Sequence, residues 1–322
     1  MLQSAVAEAS SFGMNTDISY RVFGEKAEQS VVCAGSELSR LEKKLSRFLP
    51  GSEVSRINLS AGSGHVKISC EVYEILSFAL QLSEITQGLF DVTVGPLIDL
   101  WDYKHSSQAP EETRIQRILP LVNFHELTLN SDEKTLSLRK PGQSVDLGGI
   151  GKGYASDCFI KVLKEHGISS AFINIGGNVS TLGNRPDGSP WSIGIRHPRQ
   201  EGCLLGAVKV TGKAVVTSGD YERYFIDREG KKWHHILNPA TGYPAESGLI
   251  SVTAVADSAM TADALSTAIF VAGIKKGLEY LAQFSGVEAV LVDERQQVFI
   301  TQGLKECYQA VEGINTAIIG KE

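Results

Sequence analysis

Asp146-Leu147-Gly148-Gly149-Ile150-Gly151-Lys152-Gly153 places four glycines just ahead of a segment, Tyr154 to His166, whose apolar spacing predicts a helix ended by Gly167. Without side chains, the backbone can take unusual dihedrals and a ligand can come close. N–H groups leading into a helix suit phosphate, and Lys152 adds a cation. The spacing is nevertheless neither G-x-G-x-x-G nor G-x-x-x-x-G-K-[ST], because Gly153 follows Lys152. Neither common nucleotide-binding sheet is indicated. The same glycines would equally serve a purely structural turn, so the fold has to be read from what flanks them.

Downstream, Ala171 to Ile175 reads as an apolar strand stopped by Gly176-Gly177-Asn178. Short strands follow at Trp191 to Arg196, Leu204 to Val210, Ala214 to Thr217, Tyr221 to Asp227, Lys232 to Ile236 and Leu249 to Ala256. Helices are expected at Ala259 to Ala272 and Lys275 to Phe284, then strands at Ala289 to Val292 and Gln297 to Ile300. Upstream, Thr16 to Phe23 suggests a strand and Ala27 to Phe48 a helix stopped by Pro50-Gly51-Ser52. A second helix is expected from Glu71 to Gln87, a looped segment from Leu89 to Pro96, and a surface loop from Asp102 to Pro110. Glu111 to Leu119 predicts a short helix, and Leu127 to Leu129 with Thr135 to Leu138 a hairpin. The pattern is α+β, with mixed and antiparallel sheets packed against helices. No Ser- or Pro-rich linker divides it. We therefore expect an N-terminal extension over 1–12 and one intertwined domain over 13–322, with room for two lobes.

Hydrophobic residues make up 42% of the chain and charged residues 21%, enough for a sizeable core and unlike a disordered chain. The net charge of -6 argues against a general nucleic-acid partner, which needs clustered Lys and Arg. Cys33, Cys70, Cys158, Cys203 and Cys307 are scattered and expected to be small buried hydrophobes. Met1-Leu2-Gln3-Ser4-Ala5-Val6-Ala7-Glu8 lacks the basic and apolar regions of a signal peptide, so a cytoplasmic location is favoured. A periplasmic or membrane-anchored location would follow if a leader had been cut away.

Two further stretches carry candidate chemistry. In Asp257-Ser258-Ala259-Met260-Thr261-Ala262-Asp263-Ala264-Leu265-Ser266-Thr267, Asp263 and Thr267 share a helix face. A carboxylate and a hydroxyl are hard oxygen ligands suited to Mg²⁺, and an idle carboxylate in so apolar a setting is costly. The alternative is an acidic helix start that caps itself or faces solvent. In Trp233-His234-His235-Ile236-Leu237-Asn238-Pro239, adjacent histidines at a strand end point to opposite faces, so one can look into a cleft and act as a base. No H-x-x-x-H or Cys partner supports zinc. Ser218, within Thr217-Ser218-Gly219-Asp220-Tyr221, lacks a nucleophile elbow.

Taken together, several separated stretches resemble one family, the FAD:protein FMN transferases, formerly labelled thiamine-biosynthesis lipoproteins. They are Gly13 to Thr16, Ser46 to Asn58, Gly88 to Trp101, Val145 to Ala155, Asn174 to Asn178, Thr217 to Arg223, His235 to Pro244 and Thr261 to Ala268. The resemblance implies an α+β fold related to the T-fold. It implies Mg²⁺-dependent splitting of FAD, the substrate, with FMN passing to a Thr or Ser hydroxyl of an acceptor flavoprotein and AMP leaving. Mn²⁺ is the alternative metal. By position, Asp263, Thr267 and the Gly149 carbonyl would hold the metal, and His235 would be the base. Met14, Phe48, Leu89, Phe90, Asp91, Asp146, Lys152 and Leu237 would contact FAD. Asn15 stands where the family usually has glycine, Val92 where proline is common, and Gly151 where alanine is frequent. Competing functions are an FAD pyrophosphatase using water as acceptor and a flavin-binding protein without turnover.

Overall fold

The computed structural model describes residues 5–321. It opens with β1 (Val6–Gly13) antiparallel to β2 (Thr16–Phe23), joined by Met14 and Asn15 at φ 51° and 61°. Positive φ at both central residues matches the twist of a two-residue hairpin, and asparagine tolerates it where glycine would be usual. Residues 6–12, expected as an extension, thus pair with the sheet. Their side chains are almost all exposed, so no apolar alternation marks the strand.

Helix α1 (Ala27–Leu45) stops three residues short of the expected Phe48. The Ser46 hydroxyl accepts from the Phe48 and Leu49 N–H groups, offering the backbone an alternative to the helix. Ser52 then caps an unexpected helix, α2 (Glu53–Leu59), through Ser55 N–H. After β3 (Val66–Lys67) comes α3 (Cys70–Ile85). The segment after Leu89 turns into α4 (Gly95–Trp101), with Pro96 in its first turn. Next are α5 (Glu112–Ile118) and the hairpin β4 (Leu127–Asn130) and β5 (Thr135–Leu138), both as expected.

Helix α6 (Gly151–Glu165) follows, then β6 (Ser170–Ile175) and β7 (Asn178–Leu182), turned by Gly176 and Gly177 at positive φ. The chain continues through β8 (Trp191–Arg196), β9 (Leu204–Val210), β10 (Ala214–Gly219), β11 (Tyr224–Ile226), β12 (Lys232–His234) and β13 (Leu249–Ala256). Helix α7 (Ala259–Ala282) is broken at Gly273, φ 81°, which accounts for the two helices expected there. The chain closes with β14 (Glu288–Asp293), β15 (Val298–Thr301), β16 (Tyr308–Ala310) and β17 (Thr316–Ile319).

A nine-stranded sheet in the order β1-β2-β6-β7-β10-β13-β14-β15-β17 forms the frame, parallel only between β15 and β17. One face packs on α1, α6 and α7 through residues such as Val216, Val252 and Ala254. The other face packs on the three-stranded sheet β16-β9-β8 through Val215, Val255 and Ile193. Covered on both sides, β13 is buried along its whole length. A third, smaller cluster gathers Leu97, Trp101, Ile115 and Leu237 with a shell of aromatics. Cys33, Cys70 and Cys203 are exposed, against the expectation of buried cysteines. No helix among the described residues is long and apolar enough to cross a membrane.

Candidate active site

The Gly-rich turn becomes helix at Gly151, three residues earlier than its spacing suggests, because Gly151 and Gly153 are helical. Gly153 needs its bare α-carbon for packing. A Cβ there would lie 2.6 Å from the Ala259 carbonyl carbon and 2.7 Å from Met260 Cα. The α6 backbone therefore sits directly on the start of α7. Across this contact Gly153 N–H donates to Asp263 Oδ2 at 2.9 Å. Asp263 is only 3% exposed, so that hydrogen bond is what makes a buried carboxylate tolerable. Its Oδ1 is 3.7 Å from Lys152 Nζ, which donates at 3.0 Å to the Gly148 carbonyl.

One turn further along α7, Thr267 lies against Gly149. A Cβ on Gly149 would be 3.5 Å from Thr267 Oγ1 and 3.4 Å from the Phe90 ring. Thr267 Oγ1 is also 3.1 Å from Ser218 Oγ, which pairs with Ser266 Oγ at 2.8 Å. Beside the turn, Asp146 accepts from Gly148 N–H at 2.7 Å and from the Arg47 guanidinium at 3.3 Å. Asp263 and Thr267 thus present two hard oxygen donors on one face of α7, with the Gly149 backbone packed against Thr267. Among the described residues Asp263 Oδ1 accepts no hydrogen bond, its nearest cation being Lys152 Nζ at 3.7 Å. Such a set fits Mg²⁺ or Mn²⁺ completed by phosphate oxygens and water. It does not fit zinc, and among the described residues no group of three or more His, Cys, Asp or Glu comes together.

The other candidate group lies at the end of the β11–β12 hairpin. The two histidines part as their alternation requires. His234 is buried, with Nε2 3.1 Å from the Ala245 carbonyl, and burial lowers its pKa. His235 is half-buried at the surface of the cleft, with Nδ1 3.1 Å from the Arg223 carbonyl. A carbonyl only accepts, so Nδ1 carries the proton and Nε2 keeps its lone pair. Although part of the ring is exposed, the protein packed around it, and then the charge of Arg223, His234 and Lys152, pushes its pKa down from 6.5 to about 3. His235 is therefore a neutral imidazole at physiological pH. Lys152, 3.7 Å from Asp263, is also among the cations that lower the His235 pKa.

The hairpin has only two strands and gains its support from rings. Phe225 and Trp233 pack on Trp101, which stacks on Tyr103 and meets Tyr243 edge-on. Trp101 Nε1–H donates at 2.8 Å to the Gly242 carbonyl, tying down the loop after His235.

The remaining expected FAD contacts are dispersed. Met14 sits in the β1–β2 turn with its N–H on Glu42 Oε1 at 2.9 Å. Phe48 is 70% exposed, with the Arg47 guanidinium 5.4 Å from its ring centroid. Phe90 faces Gly149, and Leu89 is half-buried against the main core. Asp91 turns inward and spends its carboxylate on Thr93 and the Phe124 N–H, so it shapes the loop rather than opening to the cleft. The Leu237 side chain is buried in the aromatic cluster. Two neighbours were not singled out from sequence: Arg47 acts through a contact made only by folding, and Arg223 through its carbonyl, which every residue has. Ser218, considered only as a nucleophile, instead hydrogen-bonds Thr267 and Ser266.

The ApbE family model matches residues 14–291. An FAD:protein FMN transferase of Klebsiella pneumoniae is 34% identical, covering 82% of this chain and 82% of its own. One from Treponema pallidum is 32% identical over 88% of this chain and 83% of its own. Among solved structures, the ApbE protein of Thermotoga maritima superposes with a TM-score of 0.87 at 32% identity, covering 94% of this chain and 99% of that one. The apo flavinyl transferase ApbE of Pseudomonas stutzeri superposes at 0.84 with 30% identity, covering 97% and 99%.

Proposed function

The chain belongs to the ApbE family, and we propose that it transfers FMN from FAD to a Thr or Ser hydroxyl of an acceptor flavoprotein, releasing AMP. The observation that carries this reading is the packing of Thr267 against the Gly149 backbone beside the buried Asp263 carboxylate, with Lys152 Nζ 3.7 Å from that carboxylate.

In this reading the acceptor hydroxyl gives its proton to His235 Nε2 as its oxygen attacks the FMN phosphorus. The new O–P bond forms, the pyrophosphate P–O bond breaks, and AMP carries away the bond's electrons. A bound Mg²⁺ or Mn²⁺ would offset the pyrophosphate charge and make the phosphorus more electrophilic. Asp263, Thr267 and the Gly149 carbonyl would hold it. Lys152 adds a cation at the same phosphates, and Asp146 is held beside the turn by Arg47. The Arg223 carbonyl keeps the imidazole in the tautomer a base needs. Met14, Phe48, Leu89 and Phe90 would line the flavin or adenine ends, where an exposed ring such as Phe48 offers stacking.

The test incubates the purified protein with FAD, Mg²⁺ and a domain bearing the acceptor hydroxyl. Flavin fluorescence that survives denaturation, with a mass gain of one FMN on the acceptor, is the expected outcome. Free FMN and AMP without labelled acceptor would instead establish an FAD pyrophosphatase. FAD left intact would establish a flavin-binding protein.

A further inference from the structure

Helix α6 and the turn leading into it meet α7 at points spaced by four residues on each side. The Gly149 backbone lies against Thr267, Gly153 N–H bonds Asp263, and one turn on, Asp157 bonds the start of α7. The positions 149, 153 and 157 run against 267, 263 and 259, so the helices interlock in a single antiparallel register.

Asp157 makes the last of these contacts with both oxygens. Oδ1 accepts from Ala259 N–H at 2.8 Å, and Oδ2 from Met260 N–H at 3.0 Å and Ser258 Oγ–H at 2.8 Å. Ser258 in turn accepts from Thr261 N–H at 3.2 Å. Otherwise orphaned first-turn donors of α7 are thus satisfied largely by a side chain of another helix. This goes beyond ordinary capping. A cap from α7's own flanking residues would stabilise it in any orientation, whereas a cap from α6 stabilises it in one. A slip of one residue would rotate α7 by roughly 100° and carry Thr267 away from Gly149.

We propose that Asp157 is a positioning residue that sets the register of α7 on α6 and thereby brings Asp263 and Thr267 to the Gly149 carbonyl. The inference rests on the metal-binding reading of that edge. The close packing of Gly153 on Ala259 and Met260 fixes how near the two helices come, and the Asp157 carboxylate adds three directed hydrogen bonds that tie the same start of α7 to one rotation.

The experiment titrates Mn²⁺ into the full chain with FAD present and no acceptor, following free Mn²⁺ by electron paramagnetic resonance and folding by Tm. Asp157→Ala should weaken Mn²⁺ binding about tenfold, the scale of losing a partner that orients a metal ligand. Asp157→Asn, which keeps the shape and one good acceptor, should lose less, and it carries the test if the alanine variant does not fold. Leu163→Ala, a cavity variant at the far end of the same helix, should lower Tm as much or more and leave Mn²⁺ affinity unchanged. Wild-type affinity in Asp157→Ala, or in Asp157→Asn should the alanine variant not fold, overturns the proposal, as does an equal loss in Leu163→Ala. Asp263→Asn separates the two readings. If it binds Mn²⁺ as wild type does, the metal edge itself is wrong; if it loses Mn²⁺ while the Asp157 variants keep it, only the positioning role is wrong.

Discussion

The α6–α7 wall and the β11–β12 hairpin hold the two halves of the proposed chemistry on opposite kinds of support. On the first wall, backbone touches backbone. Gly153 has no room for a methyl group, Asp263 is buried, and neighbouring contacts repeat every four residues. On the second, a two-stranded hairpin with exposed Tyr224 and Ile226 leans on Trp101, Tyr103 and Tyr243 through Phe225 and Trp233. The difference suits what each side would do in the proposed transfer. Oxygens aimed at a cation or at a transferring phosphoryl group act best when already fixed. A base that serves a protein substrate has to stand where another chain can reach it, and there ring packing holds it without enclosing it.

The largest effect expected is on the buried wall. Asp263→Asn keeps an acceptor for Gly153 N–H but removes the charge, and covalent FMN labelling of the acceptor should fall roughly 10³-fold. Near-normal labelling would remove Asp263 from the site. On the opposite wall, His235→Gln should slow labelling on the order of 10²-fold while FAD binding, followed by flavin fluorescence, stays unchanged. The pH dependence sharpens this. Because His235 has a folded pKa below 6.5, its neutral form persists as pH falls, and the acid limb of kcat/KM that it controls should lie below about pH 6. Arg223→Gln removes a cation beside the ring and should move that limb upward. The same depression contributes stability above pH 6.5 that is lost as pH falls toward the folded value.

Two glycines of one turn separate packing from conformation. Gly153→Ala should lower stability by about 2 kcal/mol, read as a fall in denaturant midpoint, because the methyl group meets backbone. Gly151→Ala, where a Cβ would sit 3.6 Å from Leu147 Cβ, should be neutral or slightly stabilising in a helix. Equal effects would mean the interlock is looser than its contacts indicate. A modest change belongs to the hairpin's platform. Trp101→Phe loses the hydrogen bond to Gly242 and should cost about 1 kcal/mol, with a several-fold fall in kcat and no change in Mn²⁺ affinity.

Legibility in the sequence followed the range of each interaction. Asp263 and Thr267 were readable as a pair because four residues on a helix bring two side chains to one face. His234 and His235 were readable as opposed because strand geometry alternates. The β4–β5 hairpin and the break near Gly273 followed from local turn chemistry. Strand β1 escaped notice because it is exposed on both faces, and α2 and α4 because each is seven residues long and hidden behind a proline or glycine signal. Asp91 and Leu237 were expected to face the cleft, yet their side chains are engaged in the loop and the aromatic cluster.

By itself, the sequence determined the α+β class, most of the helices and strands, and which residue types could supply oxygen ligands and a base. Those are consequences of composition and of periodicities only a few residues long. The tertiary structure alone decided that Gly149 meets Thr267 across more than a hundred positions, that Gly153 is bare to admit the backbone of α7, and that the Arg223 carbonyl sets the proton on His235. Contacts of that kind depend on the register of two packed elements, which no local spacing encodes.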